Sequence, residues 1–328
     1  MVGREQDDTP MAEAMTQARH AASIEDVLEG LKSELGPNGY QRILDDHHTV
    51  SYVPRGPKLL VSFEKVQDTL DTTGDGMPLG LDFADDKNWS VLHFTADRDT
   101  WFRSEAVYAY LDDLVDEAFF ENFDQVTFYG TNMGGYAAAT FSVVAPGSTV
   151  IVMSPQATLD AELTEWDSRF PAARMLDFTD RYGYAPDMIE GTRRAFILYD
   201  PHAKLDCVHA TLFRGPNVTR LPCRFFENQI ARTLFDIDLL HRVVEHAAEG
   251  RLTRSGFYHD LRRRRKHRRY LRHVLNHLEH LNRPYLMALF CCHVLEWHDA
   301  PAFRRHLRQA QNQLAERGRL PDWLPQPN

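Results

Sequence analysis

The sequence feature that most constrains the fold is a regular alternation of short apolar runs with helical patterns between residues 58 and 248. The runs are rich in β-branched and aromatic residues, and they are too continuous for strands that expose one face to water. Such runs are typical of parallel strands that are buried on both faces, and parallel strands need helical connections. We therefore predict an α/β fold with a doubly wound, mainly parallel sheet. The predicted strands are LLVSF (59–63), VLHFTA (91–96), VTFY (126–129), TVIVM (149–153), AFILY (195–199) and VTRLPCRF (218–225).

Helical patterns precede the first of these strands and separate the later ones. A stripe of apolar residues follows Ser23, which forms a capping arrangement with Asp26, and it predicts a helix that ends near Gly36. Further helices are predicted at 105–119, 134–144, 205–213 and 230–248. The connection over residues 154–194 is too long for a simple crossover, so we expect a cap insert over the carboxyl edge of the sheet.

The charge changes sign along the chain, which indicates more than one domain. The net charge is −10, yet residues 251–328 contain 16 Lys and Arg against 6 Asp and Glu. We therefore predict an acidic α/β domain over residues 24–250 and a basic, Arg- and His-rich module of three helices over residues 251–328. Residues 1–23 show little apolar periodicity, and we expect them to form a mobile tail.

The composition excludes several classes of protein. It is 43% hydrophobic and 26% charged, as in ordinary globular domains. No run approaches about 18 apolar residues, so no membrane span is predicted, and the first twenty residues contain acids and no apolar run, which argues against a secretory signal. The four cysteines form no Cys-x-x-Cys pair, so the chain is no disulfide scaffold, and a cytoplasmic location is expected.

The strongest local motif is the turn GTNMGG at residues 130–135, which follows a predicted strand and opens a helix of small residues. This is the setting of a nucleophile elbow, Gly-x-Nu-x-Gly, in which a strained turn lifts one side chain above the sheet. Gly130 and Gly134 are expected because a side chain at either position would collide with the neighbouring strand or helix. The N–H of Met133 would face an oxyanion at the start of the helix. The nucleophile position itself is Asn132, whose carboxamide is no useful nucleophile.

Residues 58–248 resemble the α/β-hydrolase family, and the elbow is most similar to bacterial members that read Gly-x-Ser-Met-Gly-Gly-Tyr-Ala-Ala. The resemblance implies the α/β-hydrolase fold and a catalytic triad. Its acid would follow the penultimate strand, where Asp200 and Asp206 occur, and Asp206 matches better because a helix begins directly after it. Its base would follow the last strand, and that position is Asn228. Since Asn132 and Asn228 replace two of the three groups, the triad is expected to be degraded.

A second resemblance covers the stretches DTWFRSEAVYAYLDDLV, PQATLD and RYGYAPDMIEG. They are similar to alphaproteobacterial proteins that are often labelled phosphoadenosine phosphosulfate reductase. The motifs of that chemistry, a Ser-Gly-Gly turn and a C-terminal Glu-Cys-Gly-His-like element, do not occur in this chain. The label therefore implies no mechanism here.

Two hypotheses of function follow from the elbow. In the first, a catalytically degraded hydrolase-like protein binds a small ligand or a protein partner in a pocket formed by Gly130, Met133 and Gly134. In the alternative, the protein is an active hydrolase or acyltransferase with a nucleophile elsewhere. Its candidate side chains are the nucleophiles Thr131 and Ser142 and the bases His202 and His209. No cofactor is predicted, because the turn does not satisfy Gly-x-Gly-x-x-Gly or a P-loop pattern.

The basic module supports further alternatives. The run from Arg262 to Arg269 covers every face of a helix, so it must meet solvent or an anion. It could dock on the acidic domain of the same or another copy, or bind nucleic acid, although few aromatic residues flank it. His273, His277 and His280 share one helix face, but no carboxylate pair or Cys-x-x-Cys accompanies them, so no metal site is predicted.

Overall fold

The structure is a computed structural model that describes residues 24–73, 77–298 and 300–324. The chain divides into two units between Asp260 and Leu261, and each unit is described by itself below. The tail predicted over residues 1–23 lies outside the described residues.

The first unit is built on an eight-stranded sheet with the strand order β1-β2-β4-β3-β5-β6-β7-β8. The strands are β1 (Tyr40–Ile43), β2 (His48–Val53), β3 (Lys58–Lys65), β4 (Ser90–Ala96), β5 (Gln125–Thr131), β6 (Thr149–Met153), β7 (Arg194–Tyr199) and β8 (Val218–Pro222). β2 pairs antiparallel with both of its neighbours, and every other pair is parallel, so β2 alone is reversed. This strand order with one reversed strand is that of the α/β-hydrolase fold, which confirms the predicted fold class.

Helices cover both faces of the sheet and explain its continuous apolar strands. The α-helices of this unit are α1 (Ile24–Ser33), α2 (Val66–Thr73), α3 (Leu79–Lys87), α4 (Glu105–Asp116), α5 (Asn132–Phe141), α6 (Ala185–Met188), α7 (Lys204–Leu212), α8 (Ile230–Asp236), α9 (Leu240–Ala248) and α10 (Arg254–Asp260). All residues of β4 and β6 are buried, as parallel strands covered on both faces should be. The helix predicted over residues 230–248 is two helices, and Asp238 in the turn between them has a positive φ of 53°.

The β1–β2 hairpin was not predicted from the sequence. Its strands are short, and its turn contains polar residues that interrupt any apolar run. The last strand is shorter than predicted, because β8 ends at Pro222, and proline cannot donate a ladder hydrogen bond from its nitrogen.

The long connection between β6 and β7 contains little regular structure. Its described elements are the 3₁₀ turn Ala172–Met175 and the one-turn helix α6. A buried pair attaches it to α7: His209 Nε2 and Asp167 Oδ2 are 3.0 Å apart, and the N–H of Ala157 donates to His209 Nδ1 at 3.1 Å. Burial opposes the charge of Asp167, yet hydrogen bonds from His209 and Arg169 hold the pKa of its carboxyl below the usual range. The segment is thus held by specific polar contacts rather than by an apolar core alone.

The second unit is helical, as predicted. After the 3₁₀ turn Leu261–Lys266 it contains α11 (Arg268–His280), α12 (Pro284–Leu295) and α13 (Pro301–Glu316). Its apolar core includes Leu271, Leu275, Met287, Ala288, Cys291, Val294, Phe303, Ala310 and Leu314. None of the helices in the described parts of either unit is long and apolar enough to cross a membrane.

Candidate functional site

The elbow lies where β5 ends and α5 begins. Thr131 is the last residue of the strand, and Asn132 is the first residue of the helix. Asn132 has a positive φ of 50°, a conformation that side-chain-bearing residues seldom adopt. The strained turn therefore places Asn132 at the position of the nucleophile in an elbow.

Two glycines make the turn possible. A Cβ on Gly130 would lie 2.1 Å from the carbonyl oxygen of Gly134, and a Cβ on Gly134 would lie 1.9 Å from the carbonyl oxygen of Phe63. Both distances are far inside van der Waals contact, and the obstructing atoms belong to backbone. Met133 is buried, and the N–H of Thr100 donates to its sulfur at 3.1 Å. The helix α5 can lie this close to β3 only because position 134 has no side chain.

A small polar pocket opens beside the elbow. It is lined by Asp68, Asp71, Thr72, Thr131, Asn132, Met153, Ser154, Asn228, Gln229, Ile230, Ala231 and Arg232. Its volume is about 30 Å³, which is close to the volume that one water molecule takes in the liquid. Asn132 and Asn228 thus line one pocket, although 96 residues of sequence separate them. No imidazole is among the residues that line it.

Asp68 adds a negative charge to this pocket. Asp68 and Asn132 line the same pocket, and Lys65 Nζ lies 3.7 Å from Asp68 Oδ1. Burial raises the pKa of Asp68, and the charge of Lys65 opposes that effect. Asp68 lies at the start of α2, directly after β3, which is the region that supplies the second oxyanion N–H in this fold. A carboxylate here disfavours a second negative charge on a bound substrate.

Ser154 provides a further polar group that the sequence analysis did not find. It follows β6, has a positive φ of 50°, and is only 2% exposed. Its Oγ forms no hydrogen bond within the described parts of the chain. A buried hydroxyl without a hydrogen-bond partner lowers the stability of the fold by about 1–3 kcal/mol. This oxygen is therefore suited to bind a polar group of a ligand. The positive φ directly after a strand could not be read from the sequence.

Asp200, and not Asp206, contacts the segment that leads to Asn228. Asp200 follows β7, and its Oδ2 accepts hydrogen bonds of 2.7 Å from the N–H groups of both Phe226 and Glu227. It therefore shapes the segment that leads directly to Asn228. Asp206 lies in the first turn of α7, where its Oδ1 accepts a 2.6 Å bond from Arg169 of the long connection. The helix points the Asp206 carboxylate toward that connection, and Asp206 does not line the elbow pocket.

The other candidates from the sequence are engaged elsewhere. Ser142 is buried and its Oγ donates to the carbonyl oxygen of Ala139 at 2.7 Å. His209 binds Asp167, as described above, and the ring of His202 stacks on Phe225 with centroids 4.4 Å apart. Neither imidazole contacts Asp206 among the hydrogen bonds of the described residues. Only Thr131 of this group lines the elbow pocket.

A different triad-like chain lies at the same edge of the sheet. His48 Nδ1 is 2.8 Å from Asp45 Oδ1, and His48 Nε2 is 2.8 Å from Thr100 Oγ. Burial lowers the pKa of His48, so its imidazole is neutral near pH 7. Burial opposes the charge of Asp45, but hydrogen bonds from Ser104, the His47 N–H and His48 lower its pKa to about 2. The neutral ring therefore donates from Nδ1 to Asp45 and accepts at Nε2 from Thr100.

This hydrogen-bonded triad was not found in the sequence, because Thr100 is far from Asp45 and His48 along the chain and the three residues follow no motif. They meet because the antiparallel pairing of β2 and β4 places His48 opposite Ala96, at the carboxyl end of β4. Thr100 then follows in the loop after β4, beside the elbow residue Met133. Trp101 and Phe102, the next two residues, both have positive φ angles, of 50° and 54°.

The second unit exposes most of its arginine run. Arg262, Arg263, Arg265 and Lys266 are exposed, whereas Arg264 is half-buried with its guanidinium 5.3 Å from the ring centroid of Tyr270. Nucleic-acid binding by this run stays a prediction. Within the described residues, no group of three or more His, Cys, Asp or Glu is arranged to hold a metal ion.

No protein-family model matches the chain, and no curated protein is similar to it in sequence. Among solved structures, an esterase of Pyrobaculum calidifontis is 14% identical over 76% of this chain and 96% of its own, with a TM-score of 0.46. The capsule O-acetyltransferase of Neisseria meningitidis serogroup A is 12% identical over 65% of this chain and 99% of its own, with a TM-score of 0.42. An S-formylglutathione hydrolase from Agrobacterium tumefaciens is 13% identical over 64% and 94%, with a TM-score of 0.41. Because these values are low, we take the α/β-hydrolase fold of this chain from its strand order.

Glu64 lies buried near the carboxyl end of β3. Its Oε2 accepts a 3.0 Å bond from Thr69 Oγ in α2, the helix that carries Asp68. Its Oε1 and the Oγ of Thr95, which faces it across the sheet, form no hydrogen bond with described residues. Burial raises the pKa of Glu64 to about 7. The nearby charge of Asp68 adds to this effect, and the hydrogen bond from Thr69 opposes it.

We expect Glu64→Gln to flatten the pH dependence of stability. The folded pKa is about 7 against 4.5 for the free group, so the folded state keeps a proton that the unfolded state loses. This contribution is fully present below pH 4.5 and is lost as the pH rises through 7. Between pH 5 and pH 8, urea unfolding should show that the wild type loses about 2–3 kcal/mol of stability relative to the variant. Glu121→Gln, at an exposed position, is the control; equal slopes for wild type and Glu64→Gln would contradict the prediction.

Gly134→Ala should destabilise the fold because its methyl group would meet the Phe63 carbonyl oxygen at 1.9 Å. We expect the free energy of unfolding to fall by about 3 kcal/mol. Gly191→Ala is the matched control, since a Cβ there meets nothing within 4 Å, and its effect should stay within about 0.5 kcal/mol. Chemical denaturation of the two variants measures both values, and similar losses in both would argue against the close approach of α5 to β3.

Proposed function

We propose that this protein is a hydrolase-fold protein that has lost covalent catalysis and uses the elbow pocket to bind a ligand. The observation that carries the proposal is the position of Asn132, a carboxamide at the strained tip of the elbow that lines one pocket together with Asp68. An amide cannot form the acyl-enzyme of a serine hydrolase, but it offers both a donor and an acceptor.

The electrostatics of the pocket support loss of acyl transfer. Acyl transfer needs hydrogen-bond donors around a developing oxyanion. In this pocket the carboxylate of Asp68 lines the same space as Asn132, and the base position is an asparagine. Both changes oppose acyl transfer. The asparagine at the base position removes the proton acceptor, and the Asp68 carboxylate repels the negative charge of the intermediate.

The size of the pocket limits what it can bind. A volume of about 30 Å³ admits one small polar group, such as an amide, a hydroxyl or an ammonium, rather than a whole substrate. That group would belong to a small molecule or to a segment of a partner protein that covers the pocket mouth. The acceptors Asp68 and Asn132 and the unpaired hydroxyl of Ser154 favour a group that donates hydrogen bonds.

Turnover of p-nitrophenyl acetate tests the loss of catalysis. We expect negligible turnover by the wild type and by Asn132→Ser, because the base is still missing. The double variant Asn132→Ser/Asn228→His should gain activity, at least about tenfold above the single variant, because Asp200 holds the segment that leads to residue 228.

The control for this experiment is Asn132→Ala/Asn228→His, which has the base without a nucleophile and should stay inactive. Wild-type ester hydrolysis that disappears in Asn132→Ala would refute the proposal. Circular dichroism of each variant verifies that an inactive protein is still folded.

The chain of Asp45, His48 and Thr100 favours a second candidate, an active hydrolase or acyltransferase whose nucleophile is Thr100. The order of groups and the two 2.8 Å contacts are those required to deprotonate a hydroxyl. Two observations weigh against it. Thr100 is only 8% exposed, and its Oγ already accepts the N–H of Phe102 at 3.1 Å.

A fluorophosphonate probe distinguishes the two candidates. We expect no stoichiometric labelling of the folded protein, because the Thr100 hydroxyl is enclosed and hydrogen-bonded on both sides. Peptide mapping of any labelled protein identifies the site. Stoichiometric adduct at Thr100 that is lost in His48→Ala would establish the second candidate, whereas adduct that persists in that variant would indicate nonspecific reaction.

A further inference from the structure

A larger cavity lies at the opposite edge of the sheet from the elbow. It is lined by the first residues of three parallel strands, Lys58 of β3, Gln125 of β5 and Thr149 of β6, and by Arg193 just before β7. Its volume is about 500 Å³, within the range of about 300–1,000 Å³ that small-molecule sites occupy. The elbow pocket shares no residue with it.

One wall of this cavity is apolar. It is formed by Leu114, Val115, Ala118, Phe120, Phe123 and Val126. Val115 is 46% exposed although it is a large apolar side chain on α4. Phe123 is only partly buried, and its ring packs against Phe119 with centroids 5.2 Å apart. Leu114, Phe120 and Val126 are buried. The surface that this wall offers an apolar body is therefore mainly that of Val115, Ala118 and Phe123.

The other side of the cavity contains an unsatisfied polar pair. Ser148 is 3% exposed, and its Oγ forms no hydrogen bond with any described residue. The backbone N–H of Arg193 donates to the carbonyl oxygen of Ser148 at 2.8 Å, so the two residues are direct neighbours. Arg193 is exposed, and its guanidinium takes part in no ion pair within the described residues. Both residues line the cavity, and a guanidinium and a hydroxyl are groups that can donate hydrogen bonds to a carboxylate or a similar anion.

The remaining charges around the cavity are paired or exposed to solvent. Lys58 Nζ binds Glu249 at 3.0 Å, and Glu249 is also paired with Arg251. Glu121 and Asp124 line the cavity from the connection between α4 and β5, and both are exposed to solvent. Arg193 is therefore the cavity's charged donor that has no ion-pair partner among the described residues.

We propose that this cavity binds an amphipathic small molecule with an apolar body and an anionic head. The body lies against the apolar wall, and the head accepts hydrogen bonds from the Arg193 guanidinium and the Ser148 hydroxyl. The site is independent of the proposed function of the elbow pocket, because the two pockets lie at opposite edges of the sheet.

Isothermal titration with octanoate tests the proposal on the full chain. We expect saturable binding that weakens at least about tenfold in Arg193→Gln and about threefold in Ser148→Ala, since one loses a charged donor and the other a neutral one. Arg98→Gln is the matched control. That arginine is also exposed but follows β4 at the carboxyl edge, so octanoate binding should be unchanged.

Octylamine, which has a comparable chain and the opposite charge, is the second probe. Weaker binding of octylamine than of octanoate supports the anionic head. Equal or tighter binding of octylamine would show that Glu121 and Asp124 dominate, and it would overturn the assignment. The assignment would also be overturned if the wild type did not bind octanoate, or if both variants bound it as tightly as the wild type. A failure here leaves the elbow proposal intact, since ester turnover and octanoate binding are measured separately.

Discussion

The close approach of α5 to β3 is the constraint on which the rest of the site depends. The carbonyl oxygen of Phe63 occupies the space that a Cβ of residue 134 would need. A helix that begins this close to a buried strand must leave the sheet through a sharp turn, and the turn forces Asn132 to a positive φ. The same packing directs the start of α5 toward the pocket and holds Met133 against the loop that carries Thr100. The backbone is therefore that of an elbow, whatever side chain occupies its tip.

The side chains around this backbone set the electrostatics of the pocket. An elbow normally presents donors to a developing negative charge, and the start of α5 still has that polarity. Asp68 opposes it, because its carboxylate is already beside Asn132 and is only partly compensated by Lys65. The chain of Asp45, His48 and Thr100 shows the converse case. Its groups have the order of a catalytic triad, yet the hydroxyl is enclosed and joins the β1–β2 hairpin to the loop after β4.

The parallel sheet also explains why the two cavities differ so much. At the carboxyl edge, residues of α2, the elbow, the end of β6 and the start of α8 enclose the pocket, whose volume is only about 30 Å³. At the amino edge the connections are short, and a cavity of about 500 Å³ is left between α4 and the strand starts. The chemistry follows from this difference, because a small polar pocket selects a single hydrogen-bonding group and a larger one accepts an apolar body.

The sequence by itself determined the fold class and the elbow. Strands such as Val150–Met153 and Val91–Ala96 are buried on both faces, and this burial requires runs that are mainly apolar. Local geometry requires the glycines at positions 130 and 134. The short β1–β2 hairpin was not predictable in this way. Only the tertiary structure decided that Asp200 rather than Asp206 supports the segment before Asn228, and that Asp68 and Ser154 face the same pocket as Asn132. These contacts join residues far apart in sequence, and strand order and helix direction set them, so no local pattern records them.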